Sequence, residues 1–265
     1  MDTFKIIILS ILQGITEVLP ISSTGHLILI GRLLNSEISG DFFLLSVLHL
    51  GTTLAVIVFY RKDLFKNFFT KEKWTFFLKL LLASLPAAVA GVFLQDYIAS
   101  TFHGSTIIAI SLIVVGLLFI LFENIDLPTK KISPEKVDLK SMLIIGLGQT
   151  LALIPGTSRS GITTLTGMMV GLEKYSAFKF SFILGIPILL GTTLYEILKE
   201  YLAVTSPTFF TASVVVAKTA PYILITFVVG YLALFLVSKF KKSKWLTLFG
   251  IYRIVVGILI LILAI

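Results

Sequence analysis

The chain of 265 residues contains no cysteine, which removes disulfides, thiolate metal sites and thiol nucleophiles from consideration. Charge is scarce: Asp, Glu, Lys and Arg make up 14%, against about a quarter in soluble domains, while 57% of residues are hydrophobic. With a mean hydropathy of +1.02, this is the composition of an integral membrane protein. Helical spans consume about 20 residues each, so six of them with their connections leave no room for a separate soluble domain. The net charge of +8 does not indicate a nucleic-acid partner. Of the 22 Lys and Arg, 13 fall in three short loops: five in 61–73, four in 124–140 and four in 239–245. That is the asymmetry of cytoplasmic loops, not a nucleic-acid-binding stripe. The N-terminus lacks the small-residue cleavage site of a removed leader and turns polar too early, so none is expected.

Against this apolar background stand two polar stretches. The first is Gln13-Gly-Ile-Thr-Glu17-Val-Leu-Pro20-Ile-Ser22-Ser23-Thr24-Gly25-His26; the second is Gln149-Thr-Leu-Ala-Leu-Ile-Pro155-Gly156-Thr157-Ser158-Arg159-Ser160-Gly161-Ile-Thr163-Thr164. Ionised groups in hydrocarbon cost from about 2.5 to more than 10 kcal/mol, so such clusters mark function. Residues 4–19 read as a helix too short to span, ended by Pro20, which drives Leu19 out of the α region. Gln13 and Glu17 share one face of it. Ser22, Ser23 and Thr24 are good N-caps for a second short helix over about 25–34. Two half-length helices around a polar turn describe a re-entrant hairpin, and residues 141–171 repeat the pattern.

Long apolar runs cover about 42–60, 74–94, 106–123, 175–198, 217–238 and 246–265. With the lysine-rich loops cytoplasmic, both termini fall outside. Three crossings per half invert the second half, so the predicted fold is an all-α polytopic membrane protein of two inverted-topology repeats. Each repeat is a re-entrant helix-loop-helix hairpin plus three transmembrane helices. The whole chain, 1–265, is one membrane domain: repeat one over about 1–123, a basic cytoplasmic linker at 124–140, and repeat two over about 141–265. The hairpin tips should meet near the midplane.

Both second half-helices would start at the tips, offering two N-termini to an anion. Arg159 adds planar, bidentate donors suited to phosphate. Ser23 at an N-cap would bring its hydroxyl to His26, three residues on, as an activated nucleophile. Glu17 could orient His26, act as acid or base, or hold a cation. The plainer alternative makes Glu17 and Arg159 a structural ion pair. His49 and the Gly51-Thr52-Thr53 run read mainly as close helix packing, Pro86 and Pro187 as kinks, His103 as solvated in an outer loop, and Lys218 as snorkelling.

These two motifs, in this order, resemble those of the undecaprenyl-diphosphate phosphatases, the bacitracin-resistance membrane phosphatases of bacteria. The resemblance extends through Leu48-His49-Leu50-Gly51-Thr52, Phe180-Ser-Phe-Ile-Leu-Gly-Ile-Pro187 and Gly250-Ile-Tyr-Arg253. It implies hydrolysis of a C55 isoprenyl diphosphate to the monophosphate, recycling the lipid carrier of cell-wall synthesis at the outer face of the cytoplasmic membrane with Mg²⁺ or Ca²⁺. The family's catalytic positions fall on Glu17, Ser23, His26 and Arg159, with attack by Ser23 or by His26 left open. The remaining motif positions, Gln13, Ser22, Thr24, Gly25, Gly156, Thr157, Ser158, Ser160 and Thr163, are assigned to substrate binding. Glu17 is the one candidate metal ligand, because position 13 is Gln where the family alternates Glu and Gln. The partners implied are the lipid diphosphate and the bilayer, with a homodimer open to it. The rival reading is a transporter or flippase of a phosphorylated lipid or anion, since a midplane anion site also suits alternating access.

Overall fold

The structure is a computed structural model that describes residues 2–35, 41–102, 104–130, 132–203, 209–239 and 244–263. All named elements among them are helical; pairing is limited to an isolated bridge between Lys130 and Leu172. The first half comprises α1 (Thr3–Val18), α2 (Ser23–Leu33), α3 (Phe42–Phe59), the short α4 (Arg61–Phe65), α5 (Lys71–Phe102) and α6 (Ser105–Asn124). The second comprises α7 (Leu139–Gln149), a 3₁₀ turn over Thr150–Leu153, α8 (Arg159–Met169), α9 (Lys174–Ala203), α10 (Phe209–Val237) and α11 (Trp245–Leu263). Six of these, α3, α5, α6, α9, α10 and α11, are long and apolar enough to cross a membrane.

Local chemistry sets the helix limits. Asp2, Asp41 and Asp138 cap α1, α3 and α7 by accepting from the N–H groups of Phe4, Leu44 and Ser141. The Ser141 N–H and hydroxyl also hold the exposed Asp138 carboxyl below the usual carboxylate range. α1 stops at Val18 because Leu19, before Pro20, is extended (φ −75°, ψ 140°). Residues 25–34 were expected in the next helix; it starts two residues sooner, at Ser23. α5, α9 and α10 overrun the apolar runs 74–94, 175–198 and 217–238, because hydropathy marks the membrane-facing length while a helix continues until something breaks it. Pro86 and Pro187 lie inside α5 and α9, which continue through them. Lys218 is exposed on α10, and His103 lies outside the described residues.

Small residues let the helices approach closely. α6 and α11 pack along Gly116, Gly250 and Gly257; a Cβ on Gly116 would stand 2.7 Å from the Gly250 carbonyl oxygen. α10 receives α1 at Gly14, opposite Val229, and α3 at Gly51, opposite Thr226. α5 receives α7 where Gly146 meets the Ala83 backbone. Each short leading helix, α1 or α7, thus leans on a long helix of the other half. Large apolar side chains such as Leu81, Val89, Leu117 and Leu232 face outward, whereas Glu17, Gln149 and Arg253 are buried. This inside-out polarity is what a hydrocarbon solvent selects.

Candidate active site

The two polar turns adopt the same local structure. Ser22 and Ser158 both have positive φ (74° and 73°), and both place Oγ as acceptor for the N–H three residues on, Gly25 (3.4 Å) and Gly161 (3.2 Å). α2 and α8 therefore begin alike, each running 11 residues. Their first-turn N–H groups have no intrahelical carbonyl to meet, so both starts favour an anion.

The turns are also joined. Gly156 N–H donates to Ser22 Oγ at 3.1 Å. Arg253, fully buried on α11, donates to the carbonyl oxygens of Pro20 (3.0 Å), Gly156 (2.5 Å) and Thr157 (3.0 Å). Gly156 has φ +96°, and a Cβ there would press on the Ile108 carbonyl, so only glycine fits this junction.

Glu17, at the end of α1, is the hub. Its Oε1 accepts from Arg159 Nη2 at 2.7 Å. Its Oε2 accepts from Ser23 Oγ at 2.6 Å and from Gln13 Nε2 at 3.3 Å, with His49 Nε2 also 3.3 Å away. Arg159 is held by donating Nη1 to the Ser181 carbonyl at 3.0 Å, in space that Gly185 leaves free. A cavity of about 160 Å³ opens beside this group, lined among others by Glu17, Ser23, His49, Gln149, Arg159 and Ser160.

Ser22, Thr24 and Ser158 also reach the cavity wall; Gln13, Gly25, Gly156, Thr157 and Thr163 stand behind it. Gln13 supports Glu17, Gly25 packs on Ile108, Thr157 lends its carbonyl to Arg253, and Thr163 Oγ donates back to the Arg159 carbonyl at 2.7 Å.

The expected Ser23–His26 pair is not formed. The N-cap is Ser22, one residue earlier, which turns the Ser23 hydroxyl to Glu17 and His26 away. The His26 ring bonds the Ser22 carbonyl (2.8 Å) and the Tyr252 hydroxyl (2.9 Å), stacked 5.8 Å from the Tyr252 ring. The reading of His49 as helix packing is likewise corrected: Gly51 does the packing, while His49 faces Glu17. A histidine inside an apolar run was itself the available signal. The same holds for Arg253; nothing in its spacing told which carbonyls it would bridge.

A divalent cation finds little purchase on the protein. Among the described residues no group of three His, Cys, Asp or Glu comes together, and both Glu17 oxygens are engaged. Mg²⁺ or Ca²⁺ needs about six or more oxygen ligands, so this donor set does not build a metal site by itself.

Residues 6–259 match the family model of bacitracin resistance protein BacA. An Enterococcus faecalis protein named undecaprenyl-diphosphatase is 38% identical, covering 98% of this chain and 96% of its own. Proteins of the same name from Acetivibrio thermocellus (37%, 99% and 97%) and Acinetobacter baumannii (37%, 99% and 96%) are similar along their whole length. With one family model spanning both polar turns and relatives aligned end to end, this chain belongs to the BacA family of bacitracin resistance proteins.

Proposed function

We infer that the chain is an undecaprenyl-diphosphatase, a membrane hydrolase that cleaves undecaprenyl diphosphate to undecaprenyl phosphate and inorganic phosphate. The observation that carries the chemistry is the Ser23 hydroxyl donating to Glu17 at 2.6 Å, across the same carboxylate from Arg159. A nucleophile, its base and a phosphate-binding guanidinium thus meet at one cavity.

Arg159 and the starts of α2 and α8 take the charge of the diphosphate. As the guanidinium turns to phosphate it releases Oε1, and Glu17 accepts the Ser23 proton with His49 beside it. Ser23 Oγ attacks the terminal phosphorus, the bridging P–O bond breaks, and Glu17 returns the proton to the departing prenyl phosphate. Water then frees phosphate from Ser23. Most of the acceleration comes from charge stabilisation and positioning. Between the two nucleophiles left open by the sequence, this geometry supports Ser23, because His26 is committed to Tyr252. Mg²⁺ or Ca²⁺ would supply further neutralisation of the diphosphate charge.

The proposed setting is the bacterial cytoplasmic membrane, with α1–α2 and α7–α8 as re-entrant hairpins of two inverted repeats (about 1–123 and 141–265) in one membrane domain. The matching turns at Ser22 and Ser158 support this, as does the reciprocal packing of α1 on α10 and α7 on α5. Lysine placement supports a cytoplasmic 124–140 linker and both termini outside, and the family resemblance implies a cavity reached from the outer face. A homodimer is a separate proposal, to be tested by the mass of the detergent-solubilised particle.

Purified protein in detergent, given C55 diphosphate, is expected to release phosphate, and Ser23→Ala to release none. A transporter or flippase has no second compartment in detergent and would release none in either form. Full activity in Ser23→Ala would overturn the nucleophile assignment.

A further inference from the structure

One side chain on the cavity wall has no task in the scheme above. Gln149, the last residue of α7, is 2% exposed and lines the cavity. Among the described residues, neither its Oε1 nor its Nε2 has a hydrogen-bond partner. A buried carboxamide unsatisfied at both ends is rare in folded proteins and calls for an explanation. Its surroundings offer one: the same cavity is also lined by Ser23, Glu17 and Arg159, the residues that would flank a bound phosphoryl group.

The chemistry of the carboxamide narrows what it can take. Nε2 is a pure donor and suits a phosphoryl oxygen. Oε1 is a pure acceptor, which a fully ionised phosphate cannot satisfy. A phosphoryl oxygen and an O–H donor lying side by side would satisfy both ends together. A water poised to attack a phosphorylated Ser23 is such a donor.

We propose that Gln149 orients the hydrolytic water of the second step, donating Nε2–H to the phosphoryl group on Ser23 while Oε1 accepts from the water. The inference rests on the reading of Ser23 as nucleophile. In that step the water oxygen bonds to phosphorus and the Ser23 Oγ–P bond breaks. One water proton passes by way of Glu17 to Oγ, and inorganic phosphate leaves.

The test uses the full chain in detergent with C55 diphosphate labelled in its terminal phosphoryl group. Gln149→Met keeps the length and removes both polar ends. It is expected to lower kcat about 10- to 100-fold, the scale of a misplaced reactant. Label should accumulate on Ser23, and the melting temperature should stay at or above that of the parent, since an unsatisfied polar group has been removed. Gln149→Glu, which keeps the acceptor but sets negative charge beside phosphate, is expected to slow the loss of label from Ser23 at least tenfold. An unchanged kcat in Gln149→Met, or a fall in kcat with a lower melting temperature and no label on Ser23, would overturn the proposal. Loss of label from Ser23 at the parent rate in Gln149→Glu would overturn the Nε2 contact. Hydrolysis by Ser23→Ala at the parent rate would instead remove the nucleophile reading, and this inference with it.

Discussion

Glu17 receives donors from Arg159, Ser23 and Gln13, with His49 a further neighbour. Arg159→Ala removes the charge that meets the phosphate and is expected to lower kcat/KM by about 10² to 10⁴, measured as phosphate release. Arg159→Lys should recover little of it, because an ammonium cannot span Glu17 and the Ser181 carbonyl as the guanidinium fork does. The two imidazoles are expected to separate. His49→Asn should depress kcat at near-normal thermal stability. His26→Asn should show its larger effect in the melting temperature, since it breaks the link between the α2 start and Tyr252 on α11. The polar residue types of the site were legible in sequence, because an acid, a histidine or an arginine in an apolar chain stands out. Their partners were not: a one-residue shift of the N-cap from Ser23 to Ser22 reassigned the hydroxyl from His26 to Glu17.

At the scale of elements, the site depends on where helices start and how closely they approach. Gly185 on α9 leaves the space that the Arg159 guanidinium occupies. Gly185→Ala is expected to displace that flexible side chain, costing activity at least tenfold while changing the melting temperature little. Gly156→Ala differs, because both its positive φ and the Ile108 backbone oppose a Cβ. A loss of about 1–3 kcal/mol in stability is expected there, read from thermal or denaturant unfolding of the solubilised protein. The long helices were legible as apolar runs to within a few residues at most ends. Their extra turns were not, because hydropathy reports the solvent around a helix and not the backbone signals that end it.

At the scale of the whole molecule, Arg253 joins the two turns through three backbone carbonyls, one before α2 and two before α8. Arg253→Met would leave those carbonyls buried without a donor, at about 1–3 kcal/mol for each unsatisfied group. Loss of both stability and activity is expected, although Arg253 is not among the cavity-lining residues. The proposed orientation is open to labelling, helped by the absence of native cysteine. In intact cells a membrane-impermeant maleimide is expected to modify Thr101→Cys and to spare Lys66→Cys and Lys136→Cys; the opposite pattern would invert the proposed topology. Sequence alone determined the apolar membrane-type composition, the six helices of spanning length and the two polar motifs, because each is a matter of composition and short-range pattern that hydrocarbon or proline punishes locally. Which atoms meet was decided by tertiary structure. The bonds from Arg159 to Glu17 and from Arg253 to Pro20 join residues far apart in the chain, and only the packed helices fix such distances.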